Sequence, residues 1–467
     1  MVVRAAVDPR VLPTAAHPVR RASTTAARTA QPDPLVHEGR RAARRTASRR
    51  PTDVRTRRRT AVTLDPLQRA TGLSAQEFAS SYWARQPLLR RAAELPGDGF
   101  ADLLDLDAVD ELVSRRGLRT PFLRMAKDGE VLPGARFTRG GGAGAEIADQ
   151  VADDRVLAEF ADGATLVLQG MHRVWPPVID FGAALSAQLG HPIQVNAYIT
   201  PAQNTGFSAH YDVHDVFVLQ FAGRKRWRIH EPVLEAPLRD QPWDQRRGAV
   251  QARAKEEPLI DTVLEPGDAL YLPRGYLHSA TALGGVCGHL TVGVHPVTRS
   301  FLAEQALATL VDDVELRRSL PMGVDLADPA VLDTELKATQ DALHRAIDRL
   351  DVARVAAAVG RHLADRTRPQ PLSPLAQIDA AQSIGPDDAV VVRRGLRWSL
   401  RPAGDKVTLV LAGRSLTLPS SVETGLRELL SGRVVTVGRV PDLVVDDAVT
   451  LVRRLLREGL VVPAGTS

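Results

Sequence analysis

The sequence predicts an α+β fold in which helices flank a sandwich or barrel of short strands. Three features indicate this: apolar residues with helical spacing before residue 190, β-rich runs between turn residues over 193–294, and helical spacing again over 300–365. Many short strands separated by turns are typical of sandwiches and barrels. The strand-like runs are 193–199, 215–221, 225–229, 259–264, 268–272 and 289–294.

The charge of the chain is unevenly distributed. The 467 residues include 60 Lys and Arg against 55 Asp and Glu, a formal net charge of +5. Residues 1–60 hold 15 Arg and four acidic residues, a local charge of +11, so the other 407 residues hold 45 basic and 51 acidic side chains and carry −6. This distribution excludes a uniformly basic nucleic-acid-binding fold.

The cysteine count and the apolar runs exclude further classes of protein. The single cysteine, Cys287, excludes a disulfide framework and a zinc site built from cysteines. No apolar run approaches the ~20 residues that a membrane span needs. We therefore expect a cytoplasmic protein.

Composition divides the chain into four predicted regions. Residues 1–60, rich in Arg, Ala, Thr, Ser and Pro, are expected to form a disordered tail, because they bury too little apolar surface to offset their ordering entropy. The alternatives for this tail are a mis-called start codon, an arm that contacts RNA, or a transit peptide. The other regions are a catalytic domain at 61–298, a helical region at 299–368 and a last domain at 369–467.

Local signals place the first ordered elements. Order is expected to begin near Leu64, and Ser74 followed by Glu77 predicts the N-terminus of a helix. The glycine-rich stretch 128–146 is predicted to be a flexible loop, since it lacks the Gly-Lys-Ser/Thr end of a phosphate-binding loop. A strand at 165–169 and a helix at 179–189 that ends at Gly190 come next.

Turn residues separate the strand-like runs, including Ala222-Gly223-Arg224 between two of them and Pro273-Arg274-Gly275 before His278. After the barrel, apolar spacing at 301–314 and 343–359 predicts helices. The last domain shows helices with a small sheet, the outline of a winged helix. Its predicted elements are helices at 375–383, 421–431 and 445–458 and strands at 389–392, 397–401, 407–411 and 460–462.

Two histidines and one carboxylate form the candidate metal site. His210 and Asp212 are two residues apart, so on a strand both side chains point to the same face. The run 265–278 is a turn, an apolar strand, a second turn and His278, an order that can return His278 to the same interior. Two histidines and a carboxylate on one face of iron(II) leave positions open for a bidentate co-substrate and dioxygen.

These motifs resemble those of the JmjC-type cupin oxygenases known as ribosomal oxygenases. The resemblance covers about 65–467 and includes Tyr82-Trp83 followed by Gln86-Pro87-Leu88-Leu89, where Gln86 replaces the family's usual Lys. Residues 316–321 resemble the family's helical dimerisation region, and the winged-helix-like end also fits. The resemblance implies a double-stranded β-helix, the cupin or JmjC jelly roll, with flanking helices, a helical dimerisation region at 299–368 and a winged-helix-like domain.

The resemblance also implies roles for individual residues. His210, Asp212 and His278 match the iron ligands, and Lys225 stands where the family places a basic residue for the distal carboxylate of 2-oxoglutarate. Burial of a carboxylate requires such a partner. Asn196, Tyr198 and Thr291 resemble residues near the co-substrate and substrate, although a satisfied core pair is the alternative for the first two. The other barrel histidines, His214, His230, His289 and His295, are expected to be structural or exposed.

The implied function is hydroxylation of a ribosomal protein by an enzyme that uses iron(II), 2-oxoglutarate and dioxygen. Bacterial members of the family hydroxylate Arg and animal members hydroxylate His; Lys225 is more similar to the histidyl branch. A homodimer is expected from the helices at 300–365, and the tail at 1–60 could contact ribosomal RNA. Direct DNA binding is not expected, because the candidate recognition helix 421–431 has Arg427 as its only basic residue.

Other functions remain open at this point. The oxygenase could act on a non-ribosomal peptide, a natural product or another small molecule, and lysine demethylation ranks below hydroxylation. A non-catalytic sensor with a DNA-reading last domain is a second class of function. A cupin isomerase or hydrolase that uses another metal is a third, and it would not need Lys225.

Overall fold

A nine-stranded antiparallel sheet forms the centre of the computed structural model, which describes residues 64–202 and 208–465. The neighbouring strands follow the order β1-β10-β8-β11-β7-β6-β2-β3, and β9 pairs with β8. The described residues belong to one compact unit. The predicted tail at 1–60 lies outside them. No helix in these two ranges is long and apolar enough to cross a membrane.

The part of the chain before the barrel contributes short helices, four strands of the central sheet and a separate two-stranded sheet, Thr138–Arg139 with Gln150–Val151. The Ser74 hydroxyl accepts a hydrogen bond from the Glu77 amide at 3.2 Å, which confirms the predicted N-cap, and Gly190 ends α6 with a φ of +72°. The helices are α1 Pro66–Thr71, α2 Ala75–Ser81, α3 Leu106–Arg115, α4 Asp153–Ala161, α5 Met171–Val174 and α6 Pro176–Leu189. The strands are β1 Leu88–Arg90, β2 Leu123–Lys127, β3 Glu130–Val131, β4 Thr138–Arg139, β5 Gln150–Val151 and β6 Thr165–Leu168.

Two long strands, β8 and β11, run through the barrel region. Its elements are β7 Ile193–Thr200, β8 Asp215–His230, α7 Arg247–Arg253, β9 Ile260–Leu264, β10 Ala269–Leu272 and β11 Leu277–Val294. The predicted turn at 222–224 is therefore wrong: the runs 215–221 and 225–229 are halves of one strand. The predicted run 289–294 is likewise only the second half of β11.

Pairing between distant residues explains why the strand continues through a turn-like sequence. β8 pairs with β11 on both sides of Gly223, from His230 opposite Leu277 to Asp215 opposite Val294. The register shifts between Leu283 and Gly288, so a bulge in β11 faces Gly223, whose φ is +60°. This bulge bends the strand pair without breaking it.

The bent strands enclose a cavity. Val216 and Val218 from the first half of β8 share a buried cluster with Trp227 and Ile229 from the second half. Phe217, Leu219 and Phe221 point the other way and pack in the larger core beneath the N-terminal helices. This alternation places one face of β8 inside the barrel and the other against the helices.

Helices follow the barrel: α8 Arg299–Thr309, α9 Pro329–Ile347 and α10 Val352–Arg366. The spacing at 343–359 predicted one helix, but the helical conformation is interrupted between Ile347 and Val352. There the Asp351 side chain accepts a hydrogen bond from the Ala353 amide at 2.8 Å and begins α10. A capping side chain can start a new helix within a continuous apolar pattern.

The last region has its own core and two small sheets. One sheet has the order β16-β12-β17 and the other β13-β14-β15, which is six strands where the sequence predicted four. The elements are α11 Pro374–Ser383, β12 Ala389–Val392, β13 Ser399–Ala403, β14 Lys406–Leu411, β15 Arg414–Pro419, α12 Glu423–Leu429, β16 Val435–Thr436, α13 Val445–Arg457 and β17 Val461–Pro463. The winged-helix assignment and the domain boundaries stay predictions.

Replacement of Gly223 by alanine should strongly destabilise the barrel. An added Cβ would lie 2.3 Å from the Val286 carbonyl oxygen, at a φ that L-residues avoid. We expect the variant to lose about 2–4 kcal/mol of unfolding free energy in urea denaturation followed by circular dichroism.

The matched control is Gly284→Ala in the same bulge. Its φ is +79°, but an added Cβ would meet no atom within 4 Å. Only the backbone cost of about 1–2 kcal/mol should remain. Equal losses in the two variants would contradict the clash with Val286.

Candidate metal centre

The three predicted metal ligands meet at one end of the barrel. His210 forms an isolated β-bridge with His278, the second residue of β11, and Asp212 lies in the irregular segment before β8. The expected strand through His210 and Asp212 is therefore reduced to this single bridge. The predicted order of β10, turn and His278 is confirmed, and it returns His278 to a position opposite His210.

Short distances connect the three side chains. The backbone amide of His278 donates to the His210 carbonyl at 2.8 Å, and the imidazole centroids are 4.5 Å apart. His278 Nε2 lies 3.7 Å from Asp212 Oδ2. One potential ligand atom from each residue lies within 4.8 Å of the others. Among the described residues, this is the one group of three or more such side chains compact enough to hold a metal ion.

Backbone carbonyls orient both imidazoles. His210 Nδ1 lies 2.7 Å from the Ser208 carbonyl oxygen, and His278 Nδ1 lies 3.2 Å from that of Tyr276. Because a carbonyl only accepts, Nδ1 is the donor in each contact, and Nε2 is the nitrogen that each neutral imidazole would offer to a metal. Such outer partners fix the tautomer of histidines that bind metals.

The electrostatics also favour a cation. Burial lowers the pKa of His278 to about 4, so its imidazole is neutral and able to donate a lone pair. Burial opposes ionisation of Asp212, but His214, His278 and His210 hold the pKa of its carboxyl below the usual value. The cluster thus combines two imidazoles with one carboxylate, a donor set suited to a first-row divalent metal.

All seven predicted site residues line one cavity of about 270 Å³: His210, Asp212, His278, Lys225, Asn196, Tyr198 and Thr291. They come from β7, β8, β11 and the segment before β8. The bend in β8 therefore brings together residues that are far apart in the sequence.

Lys225 is a buried cation in this cavity. Only 3% of the residue is exposed, and its Nζ donates to Thr200 Oγ1 at 3.3 Å. Within 64–202 and 208–465, no carboxylate lies within 4 Å of Nζ. Burial lowers the pKa of Lys225. A buried ammonium without an anionic partner is costly, so the cavity is suited to a ligand that brings a carboxylate.

Asn196, Tyr198 and Thr291 line the same cavity in different ways. Asn196 Oδ1 accepts hydrogen bonds from the Gly170 amide at 3.1 Å and from Gln194 Nε2 at 3.3 Å, so this side chain also has a structural role. The Tyr198 ring stacks on His289 at 5.3 Å, and Thr291 lies opposite Asn196 in the β7–β11 pairing.

The sequence reasoning missed several residues of the cavity wall. Gln194 and His289 lie two positions from Asn196 and Thr291, so strand alternation could have found them. Arg124 on β2 and Trp243 come from outside the barrel strands, and no local sequence pattern indicates that they line the cavity. His214, expected to be structural or exposed, lies 4.0 Å from Asp212 and lines the cavity as well.

Comparison with known proteins shows what this part of the chain is similar to. Residues 179–302 match the family model described as JmjC domain. Human ribosomal oxygenase 1 is 30% identical over 255 residues, which cover 52% of this chain and 37% of the human protein. The bifunctional lysine-specific demethylase and histidyl-hydroxylase NO66 of Drosophila erecta is 38% identical over 144 residues, 28% of this chain and 20% of that protein. This chain thus spans less than half the length of these relatives.

A solved structure from Escherichia coli, described as the ribosomal oxygenase YcfD in complex with cobalt and 2-oxoglutarate, aligns with a TM-score of 0.47 at 21% identity. The alignment covers 84% of this chain and 99% of that protein. Together, the match over 179–302 and the curated relatives show that this chain contains a JmjC domain related to those of the ribosomal oxygenases.

Proposed function

We propose that the chain is an iron(II)- and 2-oxoglutarate-dependent oxygenase that hydroxylates a side chain of a ribosomal protein. The observation that carries this proposal is the cavity that joins a His-Asp-His cluster to a buried lysine with no carboxylate within 4 Å among the described residues. A metal site alone would fit many cupins. The additional buried cation favours a co-substrate with a carboxylate, as opposed to an isomerase or hydrolase that uses the metal alone.

The metal would be held by His210 Nε2, His278 Nε2 and one oxygen of Asp212. Iron(II) with 2-oxoglutarate and dioxygen supplies, when bound, the oxidising power to hydroxylate a C–H bond while 2-oxoglutarate becomes succinate and carbon dioxide. The chain itself supplies geometry: carbonyl-anchored imidazoles keep the ligand atoms in place, and apolar walls such as Val216 and Val218 exclude water.

Lys225 binds the distal carboxylate of 2-oxoglutarate in this proposal. Its ammonium is held by Thr200, whose hydroxyl also accepts a hydrogen bond from Thr165 Oγ1 at 3.3 Å. Thr165 and Thr200 thus orient the cation. A carboxylate at Nζ would convert an unfavourable buried charge into a charge-assisted hydrogen bond. Asn196, Tyr198 and Thr291 line the space between the two anchors and position co-substrate and substrate.

As the substrate side chain that is hydroxylated, histidine fits the cavity better than arginine. The described part of the wall carries two cations, Arg124 and Lys225, and its one carboxylate is Asp212, which serves the metal. A guanidinium would enter this space without a free anionic partner. A neutral imidazole would instead find polar groups such as Gln194 and Ser279. The likeness to NO66 points in the same direction.

Several further features belong to the proposal. Homodimerisation through 299–368 is supported by exposed apolar side chains on this region, including Leu302, Val311, Val314 and Met322. We also propose that 369–467 is a winged-helix-like domain used for protein contact, that the protein works in the cytoplasm, and that the tail at 1–60, outside the described residues, contacts ribosomal RNA through its +11 charge.

Removal of the carboxylate ligand should abolish turnover. Asp212→Ala is expected to lose iron(II) binding, measured by calorimetry, and formation of succinate from 2-oxoglutarate, because two imidazoles alone hold the metal weakly. The control Asp261→Asn removes a surface carboxylate that is paired with Arg226, and this variant should retain iron(II) binding and succinate formation. Succinate formation by Asp212→Ala would refute the ligand assignment.

Neutralisation of Lys225 should act on the co-substrate and spare the metal. Lys225→Met keeps the length of the side chain, and we expect the KM for 2-oxoglutarate to rise by roughly 30- to 150-fold, the equivalent of about 2–3 kcal/mol for a charged hydrogen bond. Iron(II) affinity should stay unchanged. Lys255→Met, at an exposed lysine, is the control. An unchanged KM in Lys225→Met would place the co-substrate elsewhere.

The substrate can be identified from a strain that lacks the gene. Intact-mass spectrometry of its ribosomal proteins should show one protein lighter by one oxygen atom, and fragmentation should place the missing hydroxyl on a histidine. Complementation with Asp261→Asn, and not with Asp212→Ala, should restore the mass. No difference in any ribosomal protein would contradict the ribosomal substrate while leaving the metal and co-substrate tests intact.

A further inference from the structure

A second cavity, of about 700 Å³, is lined by an unusual number of arginines. Its walls come from α5 and α6, the end of α10 with the following segment, and the loop after β12. We call it the arginine groove, defined by Arg173, Arg366, Arg368, Arg393, Arg394 and Arg397. Asp180 is the one acidic residue among its described lining.

The groove arginines lack acidic partners. Within 64–202 and 208–465, none of the six lies within 4 Å of a carboxylate oxygen, whereas Arg414 of the same region pairs with Glu458 and Arg427 with Glu423. Burial and the nearby Arg368 lower the pKa of Arg173, and burial and Arg414 lower that of Arg393. Six clustered guanidiniums repel one another, and an anionic ligand would relieve that repulsion.

The floor of the groove is different in character. Ile179, Ile193 and Leu396 contribute apolar surface, and Pro369 and Pro371 border it. A ligand that matches the whole groove therefore carries several negative charges along an edge and flat or apolar groups beside them. Guanidinium groups favour phosphates, which they bind with two parallel hydrogen bonds.

Charge and shape exclude other occupants. The Arg-rich tail at 1–60 has the same sign of charge as the groove. A basic peptide would be repelled for the same reason. A membrane surface is flat and cannot reach the floor of a concave groove. Nucleic acid combines phosphates with stackable bases, and a single strand can place both in a narrow groove.

We propose that the arginine groove binds single-stranded nucleic acid, with phosphates on the guanidiniums and bases or sugars on the apolar floor. This groove is separate from helix α12, which contains Arg427 and is the candidate DNA-recognition helix in the sequence. The groove floor includes Ile193 on β7, the strand that carries Asn196 and Tyr198. The proposal goes beyond the oxygenase activity and does not depend on it.

Fluorescence anisotropy with the full chain tests the proposal. The probe is a labelled oligouridylate of about twelve nucleotides, within the ~4–16 nucleotides that single-strand-binding folds cover. Contact with about four phosphates should weaken binding about fiftyfold between roughly 50 and 200 mM salt. The double variant Arg394→Gln/Arg397→Gln should bind about tenfold more weakly at low salt and show a shallower salt dependence. Both side chains are exposed, so folding should be preserved.

A matched variant controls for net charge. Arg401→Gln/Arg439→Gln removes two exposed arginines outside the groove and should bind the probe as the unaltered chain does. An equal loss of probe binding in both variants would overturn the proposal. Unchanged probe binding in the groove variant would also overturn it, because the binding site would then lie in another part of the chain such as the tail. Succinate formation, measured in parallel, should be unaffected by either variant.

Two competition arms distinguish other phosphate sources. Inorganic triphosphate, at equal phosphate concentration, should displace the probe poorly, because it cannot use the apolar floor. Vesicles that contain phosphatidylserine should not sediment the protein in a manner that depends on Arg394 and Arg397. Complete displacement by triphosphate would assign the groove to a small polyphosphate, and arginine-dependent sedimentation would assign it to a membrane; either result would overturn the nucleic-acid proposal.

Discussion

The antiparallel pairing of β8 with β11 is the interaction on which the rest of the structure depends. It joins residues that are distant in the sequence, from His230 opposite Leu277, 47 positions apart, to Asp215 opposite Val294, 79 positions apart. His278 begins this pair at one end of the barrel, and Lys225 lies opposite Ala282 further along it. The spacing between His278 and Lys225 is thus set by the backbone hydrogen bonds of this strand pair.

The cavity and the arginine groove both hold basic side chains without a carboxylate partner among the described residues. Buried cations are normally paired, yet Lys225 has no carboxylate within 4 Å among the described residues, and Arg124 Nε is buried without a hydrogen-bond partner among them. Five of the six groove arginines are exposed, and none of the six has a carboxylate oxygen within 4 Å among the described residues. The burial of Lys225 without such a partner costs stability, and a protein tolerates that cost where a ligand supplies the missing partner.

Local sequence signals predicted the elements that depend on local interactions. Ser74 and Gly190 begin and end their helices as expected, and the order of strand, turn and His278 was correct because adjacent residues determine it. The predicted turn at 222–224 was wrong because its sequence favours a turn locally, while pairing with β11 on both sides of Gly223 keeps the segment within strand β8.

The candidate site divides in the same way. His210, Asp212 and His278 were predictable from spacing and resemblance, and Lys225 from resemblance with the need for an anion partner. Arg124 and Trp243 were not, since they reach the cavity from elements whose docking on the barrel has no signature in their own sequence. Even the tautomers of the two histidines depend on carbonyl positions that only the folded backbone determines.

Cys287 gives this architecture an experimental handle. The one thiol of the chain is fully buried opposite Thr200 in the β7–β11 pair, near Lys225, and burial raises its pKa. A thiol-directed reagent can reach it only when these strands separate, so the labelling rate reports the free energy of local opening beside the cavity. A dicarboxylic acid bound at Lys225 would slow this labelling by mass action. The labelling rate would therefore measure occupancy of the cavity without any need for turnover.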